Sequence, residues 1–308
     1  MGRKRGSGAG ALRAGGPRGR KSAPDSAAEI ESQSSQIRET FIPGHVPRIE
    51  ILDWRERFGV VAGVTGRGSE PGRGFDLGLW SDAPVGEVMS RWRAFRRELP
   101  EFSTVALGNQ VHGVEVMNLD AGRGWIQVEG IDGWITTAPG ILLTITIADC
   151  VPVYLMVPGR GVALLHAGWR GTAGGILERG AEQLRGGTAC SWSDIVMHCG
   201  VGICGPCYEV GSEVMQGCGA PAEGEGPWHL DLRERLRNQA GRLGLNQVTT
   251  SAWCSAHDRT SFYSHRASRG TDGRMVAYMG IAGRKGGKRG GGEGRQGLIP
   301  LASNLIPE

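Results

Sequence analysis

The sequence predicts an α/β fold of the α+β type: a single domain with a mixed, largely antiparallel β-sheet flanked by helices. Three observations lead there. Short β-branched apolar runs recur through the middle of the chain, separated by brief turns marked by Gly or Pro, the spacing of strands that fold back on their neighbours. Two longer segments carry apolar residues at helical spacing. No internal repeat and no Pro/Ser-rich linker interrupts residues 46–283.

Residues 59–64 give a short strand signal. Residues 85–99 read as a helix with Val88, Trp92 and Phe95 on one face. Segments 114–117 and 133–137 are strand-like, and 141–148 is a β-branched strand with Thr144 and Thr146 interleaved. Segments 151–157 and 161–166 read as further buried strands. A glycine-rich turn then leads into a helix over 172–184, followed by a strand at 194–198. Residues 232–243 form a helix with Asp231 in the N-cap position and Leu232, Leu236 and Leu243 on one stripe. Residues 275–281 close the domain as a strand.

Composition narrows the class. Of 308 residues, 53 are glycine, about twice the usual ~7% share, with no three-residue period, which excludes collagen. The longest apolar run, 141–157, contains Asp149 and Pro152 and is too short to span a bilayer. The first thirty residues are basic without an apolar stretch, so no secretory signal is expected. Seven cysteines, an odd number, suggest reduced thiols and a cytoplasmic protein.

The net charge of +4 divides unevenly. Residues 1–24 hold seven basic residues and no acid, and residues 283–308 hold five basic against two acidic; together they carry +10, leaving −6 on residues 25–282. The organisation expected is a disordered basic Gly/Ala/Arg-rich tail at 1–40, a catalytic domain at 41–283 and a disordered basic Gly-rich tail at 284–308. The acidic body speaks against a specific nucleic-acid partner.

The chemistry-bearing residues concentrate in two stretches. Gly108-Asn109-Gln110-Val111-His112-Gly113 sets a histidine in a polar, glycine-flanked segment. Asp149-Cys150 ends one buried strand, and His166 ends another, just ahead of Ala167-Gly168-Trp169-Arg170-Gly171. His112, Cys150 and His166 fit a three-ligand zinc site with its fourth position left open, the catalytic pattern. They also fit a small buried thiol with two hydrogen-bonded histidines, the reading spacing alone favours, because no local ligand spacing forces a metal. The glycine-rich turn opening a helix at Arg170 is a candidate anion site. Thr65-Gly66-Arg67-Gly68-Ser69 and Ser264-His265-Arg266 offer further anion-binding groups.

Other readings fail on residues. Cys204-Gly205-Pro206-Cys207 has dithiol spacing but lies late in the chain with no preceding tryptophan, and a zinc ribbon would need a second C-x-x-C, which the sequence lacks. A multicopper oxidase needs many imidazoles, whereas the chain has seven histidines and no His-x-His pair. There is no G-x-S-x-G, no P-loop and no H-E-x-x-H.

From residue 59 to 281 the sequence resembles the YfiH family, once labelled multicopper polyphenol oxidases or laccases and also called peptidoglycan editing factors. The resemblance rests on Thr65–Ser69 in a shortened form, Gln110-Val111-His112, Asp132-Gly133-Trp134-Ile135-Thr136, Ala148-Asp149-Cys150-Val151-Pro152 and the highly specific His166–Gly171. It continues in Cys207–Gly211, Leu230-Asp231-Leu232, Phe262–Arg266 and Gly273-Arg274. The resemblance implies one zinc per chain on His112, Cys150 and His166, with copper disfavoured. It implies phosphorolysis of adenosine, inosine, guanosine and methylthioadenosine, plus adenosine deamination, with a purine nucleoside and phosphate as small-molecule partners. Zinc acidifies water toward neutrality, which attack at C6 of adenine requires. Cys150, Asp149 and Arg170 are the catalytic candidates; Arg67, Gln110, Arg170 and Arg266 are the substrate and phosphate candidates. The alternatives are a cysteine amidase acting on peptidoglycan precursors, a polyphenol oxidase, and a non-enzymatic binder driven by the tails. No membrane partner is expected, and the oligomeric state is left open.

Overall fold

The computed structural model describes residues 37–69, 74–81 and 83–283, with Met1 and Gly2. The chain separates into units of residues 1–36 and 37–308, and the second carries all that follows. The expected tails at 3–36 and 284–308 lie outside the described residues. The first strand, β1, spans Glu39–Ile42 and so begins inside the segment expected as tail.

Alternation of side chains along the strands builds the architecture. After β1 come β2 (Arg48–Ile51), α1 (Leu52–Phe58), β3 (Val60–Thr65), α2 (Val85–Glu98), β4 (Thr104–Asn109), β5 (Val116–Asn118), β6 (Gly124–Glu129) and β7 (Gly133–Thr136). The centre is β8 (Ile141–Ile147), β9 (Val151–Val157) and β10 (Gly161–Ala167), followed by α3 (Trp169–Ala173) and α4 (Ile176–Thr188). The remainder is β11 (Val196–Cys199), β12 (Glu209–Val210), α5 (Ser212–Gly217), β13 (Trp228–His229), α6 (Leu232–Leu243), β14 (Gln247–Thr250), α7 (His265–Ser268) and β15 (Met275–Ile281).

The expected mixed, largely antiparallel β structure is divided between two sheets, ordered β1-β2-β3-β15-β8-β4-β6 and β14-β11-β9-β10-β7-β5, plus a β12-β13 ribbon. Ile141, Leu143, Ile145 and Ile147 of β8, with Met275, Ala277 and Met279 of β15, meet Tyr154 and Met156 of β9 and Val162 and Leu164 of β10 between the sheets. The intervening Leu142, Val276 and Tyr278 face the other way, onto Val88, Trp92 and Phe95 of α2. Beyond the second sheet, Val153, Leu155, Ala163 and Leu165 pack on Leu177 and Leu184 of α4 and Leu236 and Ala240 of α6. The layers therefore run helix, sheet, sheet, helices. Strands covered on both faces read as unbroken apolar runs, which explains residues 141–157. Each large side chain buried this way contributes about 1.5–3 kcal/mol.

One expected helix is two. Gly175, at φ +84°, breaks the 172–184 segment, so Arg170 sits within a five-residue helix and α4 starts at Ile176. Asp231 caps α6 as expected, its side chain accepting from the N–H groups of Arg233 and Glu234. No described helix is long and apolar enough to cross a membrane.

Candidate active site

Strand register assembles the site. In the β10–β7 pair, Leu165 lies opposite Gly133, so the next residues, His166 and Asp132, become neighbours; the His166 N–H donates to the Asp132 carbonyl at 2.7 Å. In the β10–β9 pair, Ala167 lies opposite Val151, which sets Gly168 beside Cys150. With a period of two, His166 shares the face of Val162 and Leu164 and points between the sheets. The segment after β4 brings His112 to the same place.

The Cys150 sulfur and one ring nitrogen each of His112 and His166 lie within 4.8 Å of one another. The two imidazoles stand edge to face, with centroids 4.9 Å apart. His166 is buried, Cys150 half-buried and His112 exposed, so the cluster opens toward solvent on one side. It lies in the wall of a cavity of about 820 Å³.

Asp132 organises the cluster. Its Oδ1 is 2.9 Å from His166 Nδ1, leaving Nε2 for a metal. The same carboxylate accepts from the N–H groups of Val111 (3.1 Å), His112 (3.0 Å) and Gly113 (2.8 Å), fixing the turn in which His112 stands at φ +59°. Burial opposes ionising Asp132, but the His166 bond and the N–H donors outweigh it and hold the carboxyl below its usual range. A carboxylate behind a ligating histidine is the usual outer support of a metal site.

Burial pushes the Cys150 thiol up, but the His166 charge and hydrogen bonds from both histidines bring it down to about 6. Burial pushes the His166 imidazole down; the Cys150 thiolate and the Asp132 carboxylate raise it to about 9. The three groups thus favour a thiolate, the form a metal takes. Gly168 supplies the room: a Cβ there would stand 3.0 Å from Cys150 Sγ and 3.1 Å from His112 Cδ2. The donor set, the oriented imidazole and this cradle fit a zinc ion. Among the described residues, no metal-capable group holds more than two histidines, short of a multicopper cluster.

The other sequence candidates divide. Gln110, Asp149, Arg170 and Arg266 all line the cavity, whereas Arg67 does not. Arg67 is paired with Asp272 at 2.6 Å and lies over the Tyr263 ring. Gln110 spans the main chain of Thr146, donating to its carbonyl at 2.8 Å and accepting from its N–H at 2.9 Å. Asp149, at φ +85°, accepts from Ser255 Oγ and from the Arg266 N–H, each at 2.6 Å. Arg170 is exposed, 4.4 Å from the Trp169 ring centroid, and Arg266 stacks on Tyr208 at 5.1 Å. The helix that carries Arg170 is five residues long, not the long helix expected, and Arg170 lines the cavity from it.

Sequence reasoning gave no role to Asp132, Arg274, Trp169 or Tyr208. All four lie inside the quoted motifs, which was the available signal. Trp169, Tyr208 and Arg274 line the cavity beside the triad.

The model of the family described as multi-copper polyphenol oxidoreductase laccase matches residues 58–282. A relative named purine nucleoside phosphorylase YlmD, from Geobacillus stearothermophilus, is 34% identical over 247 residues, 72% of this chain and 90% of that protein. A relative named adenosine deaminase RL5, from an unknown prokaryotic organism, is 31% identical over 247 residues, 71% of this chain and 93% of that protein. The crystal structure of YlmD from Geobacillus stearothermophilus superposes with a TM-score of 0.71 at 30% identity, covering 80% of this chain and all of that one.

Proposed function

The chain belongs to the multi-copper polyphenol oxidoreductase laccase family, the YfiH family of the sequence resemblance, and from that membership and the cavity we propose a zinc-dependent purine nucleoside phosphorylase that also deaminates adenosine. Adenosine, inosine, guanosine and methylthioadenosine are its substrates in this reading. The observation that carries it is the cavity lining, where the Cys/His triad and the arginines 170, 266 and 274 share one space.

His112, Cys150 and His166 would hold the zinc. Bound there, it supplies a Lewis acid and the means of activating water near neutral pH. Asp132 fixes the His166 tautomer and the His112 turn. Trp169 and Tyr208 give the purine and ribose flat walls, and their stacked arginines bring positive charge to those walls. Phosphorolysis joins a phosphate oxygen to C1′ of the ribose as the bond to the base nitrogen breaks. Arg170 and Arg266 hold that phosphate through charged hydrogen bonds. Both oxygens of Asp149 are engaged, so it acts as a positioning residue, setting Cys150 on one side and the Arg266 backbone on the other. Gln110 braces the end of β4 against β8 through Thr146.

A second reading has one observation of its own. Asp132, His166 and Cys150 form a carboxylate–imidazole–thiol series, the arrangement that activates a cysteine nucleophile for amide hydrolysis. Phosphate separates the two. Incubated with adenosine, the protein should release adenine only when phosphate is present and form inosine without it. Arg170→Ala should raise the KM for phosphate by about ten- to a hundred-fold, one charged hydrogen bond of roughly 1.5–3 kcal/mol, while inosine formation changes far less. Equal losses of both products would remove Arg170 from the phosphate site. Base release indifferent to phosphate would overturn the phosphorylase reading.

A further inference from the structure

Cys204-Gly205-Pro206-Cys207 is the sequence motif that the nucleoside reading leaves unused. As sequence it lacks a second C-x-x-C. In the fold its complement is a C-x-x-H: one donor atom each of Cys204, Cys207, Cys254 and His257 lies within 4.8 Å of the others. This group is separate from His112, Cys150 and His166 and shares no residue with it.

We infer that Cys204, Cys207, Cys254 and His257 form a second, structural zinc site, closed by four protein ligands. Three cysteines and one histidine are a tetrahedral zinc set, and the C-x₂-C and C-x₂-H spacings fall in the range of such sites. Soft thiolates select zinc over the hard divalent cations. Binding exchanges the thiol protons for the ion and needs no oxidant or reductant.

The backbone around the cluster is already arranged for it. Cys204–Cys207 folds as a tight turn, with the Cys207 N–H on the Cys204 carbonyl at 3.1 Å. The Cys204 N–H points at Cys254 Sγ at 3.4 Å, a donor aimed at a sulfur from the opposite loop. Cys204 Sγ stands 3.7 Å from His257 Nδ1. The second loop is closed by Asp258, whose carboxylate accepts from the Cys254 N–H at 2.9 Å. A bridge between Gly202 and Cys254, with the Ser255 N–H on the Gly202 carbonyl at 3.1 Å, sets the two loops side by side. Hydrogen bonds to the main chain of Cys204, Cys207 and Cys254 thus shape both loops before any ion arrives.

Its position gives the ion a task. Both loops grip Asp149: Ile203 N–H donates to its carbonyl at 2.9 Å and Ser255 Oγ to its carboxylate at 2.6 Å. The second zinc staples together the loops that fix the residue before Cys150.

The test is metal stoichiometry on the full chain, purified with reductant and without added chelator. Wild type should carry about two zinc ions, and Cys150→Ser about one. Zinc X-ray absorption of Cys150→Ser should then show a sulfur-dominated shell near about 2.3 Å, which needs no change at the second site. Cys254→Ser should lose that ion and keep the other. His257→Cys should retain two, since a fourth thiolate preserves the coordination. The proposal is overturned if Cys150→Ser holds no zinc, if its zinc shell is nitrogen and oxygen, or if the four residues hold an iron–sulfur chromophore. A Cys204–Cys207 disulfide in freshly purified protein would overturn it as well.

Discussion

The two cysteine–histidine clusters are built from similar atoms and differ in what surrounds them. Cys150 and His166 stand at the ends of sheet strands and His112 in the turn after β4, all in the wall of a large cavity, with His112 exposed. Cys204, Cys207, Cys254 and His257 come from two loops bonded to each other, and they do not line that cavity. Three ligands beside a cavity leave a coordination position for chemistry; four ligands between loops leave none. Both clusters have a carboxylate on a ligand's main-chain N–H, Asp132 at His112 and Asp258 at Cys254, and in the first the carboxylate also reaches a ligand ring, at His166 Nδ1. On the proposed assignment, ligand number and what the fold places beside it, rather than ligand type, separate a reactive site from a staple.

The largest effect expected on that contrast comes from His166→Ala. Removing one of three ligands should weaken zinc by about a hundred-fold or more, one ligand's share of the roughly 10–16 kcal/mol of a four-ligand site. Both nucleoside reactions should disappear while the second zinc stays, as metal analysis beside product assays would show. Asp132→Asn comes next, at about a 10–100-fold loss of zinc affinity or turnover, because the ring and the 111–113 turn lose their common anchor. Retention of full affinity would mean that the ligands need no such support. Gly168→Ala should cost about 1–3 kcal/mol of crowding at Cys150 and His112, read as weakened zinc binding at one site only. The smallest effect on catalysis is expected from Cys204→Ser: kcat/KM with adenosine within a few-fold, but a lowered Tm, since a closed site contributes mainly to folding. A Cys204→Ser protein that melts normally yet is inactive would reverse the assignment of the two clusters.

How far the sequence reveals all this depends on the range of the interaction. Strands 151–157 and 275–281 are legible because burial on both faces leaves long apolar runs. Strand β4 is not, since its Thr104-Val105-Ala106-Leu107 ends in Gly108 and Asn109 and its partners β6 and β8 are parallel and distant. His112, Cys150 and His166 stand out in specific motifs. The role of Asp132 appears only when the β10–β7 register sets it beside His166. Arg67 reads as an anion-binding group in a glycine-rich segment, but the fold gives its charge to Asp272, a partner no local pattern announces. The C-x-x-C shows half of a four-ligand set, and the other half, Cys254 and His257, lies in another loop.

The pleat of β10 carries a consequence for how this gene tolerates change. Val162, Leu164 and His166 share one face, and Ala163, Leu165 and Ala167 the other. Losing a single codon inside this strand would exchange the two faces beyond the deletion, turning the imidazole toward the helices and leaving apolar side chains to fill the sheet interior. Loss of two adjacent codons would restore the alternation and shorten the strand instead. A deletion library across residues 161–167, selected for zinc retention, should therefore recover in-frame losses by parity rather than by length.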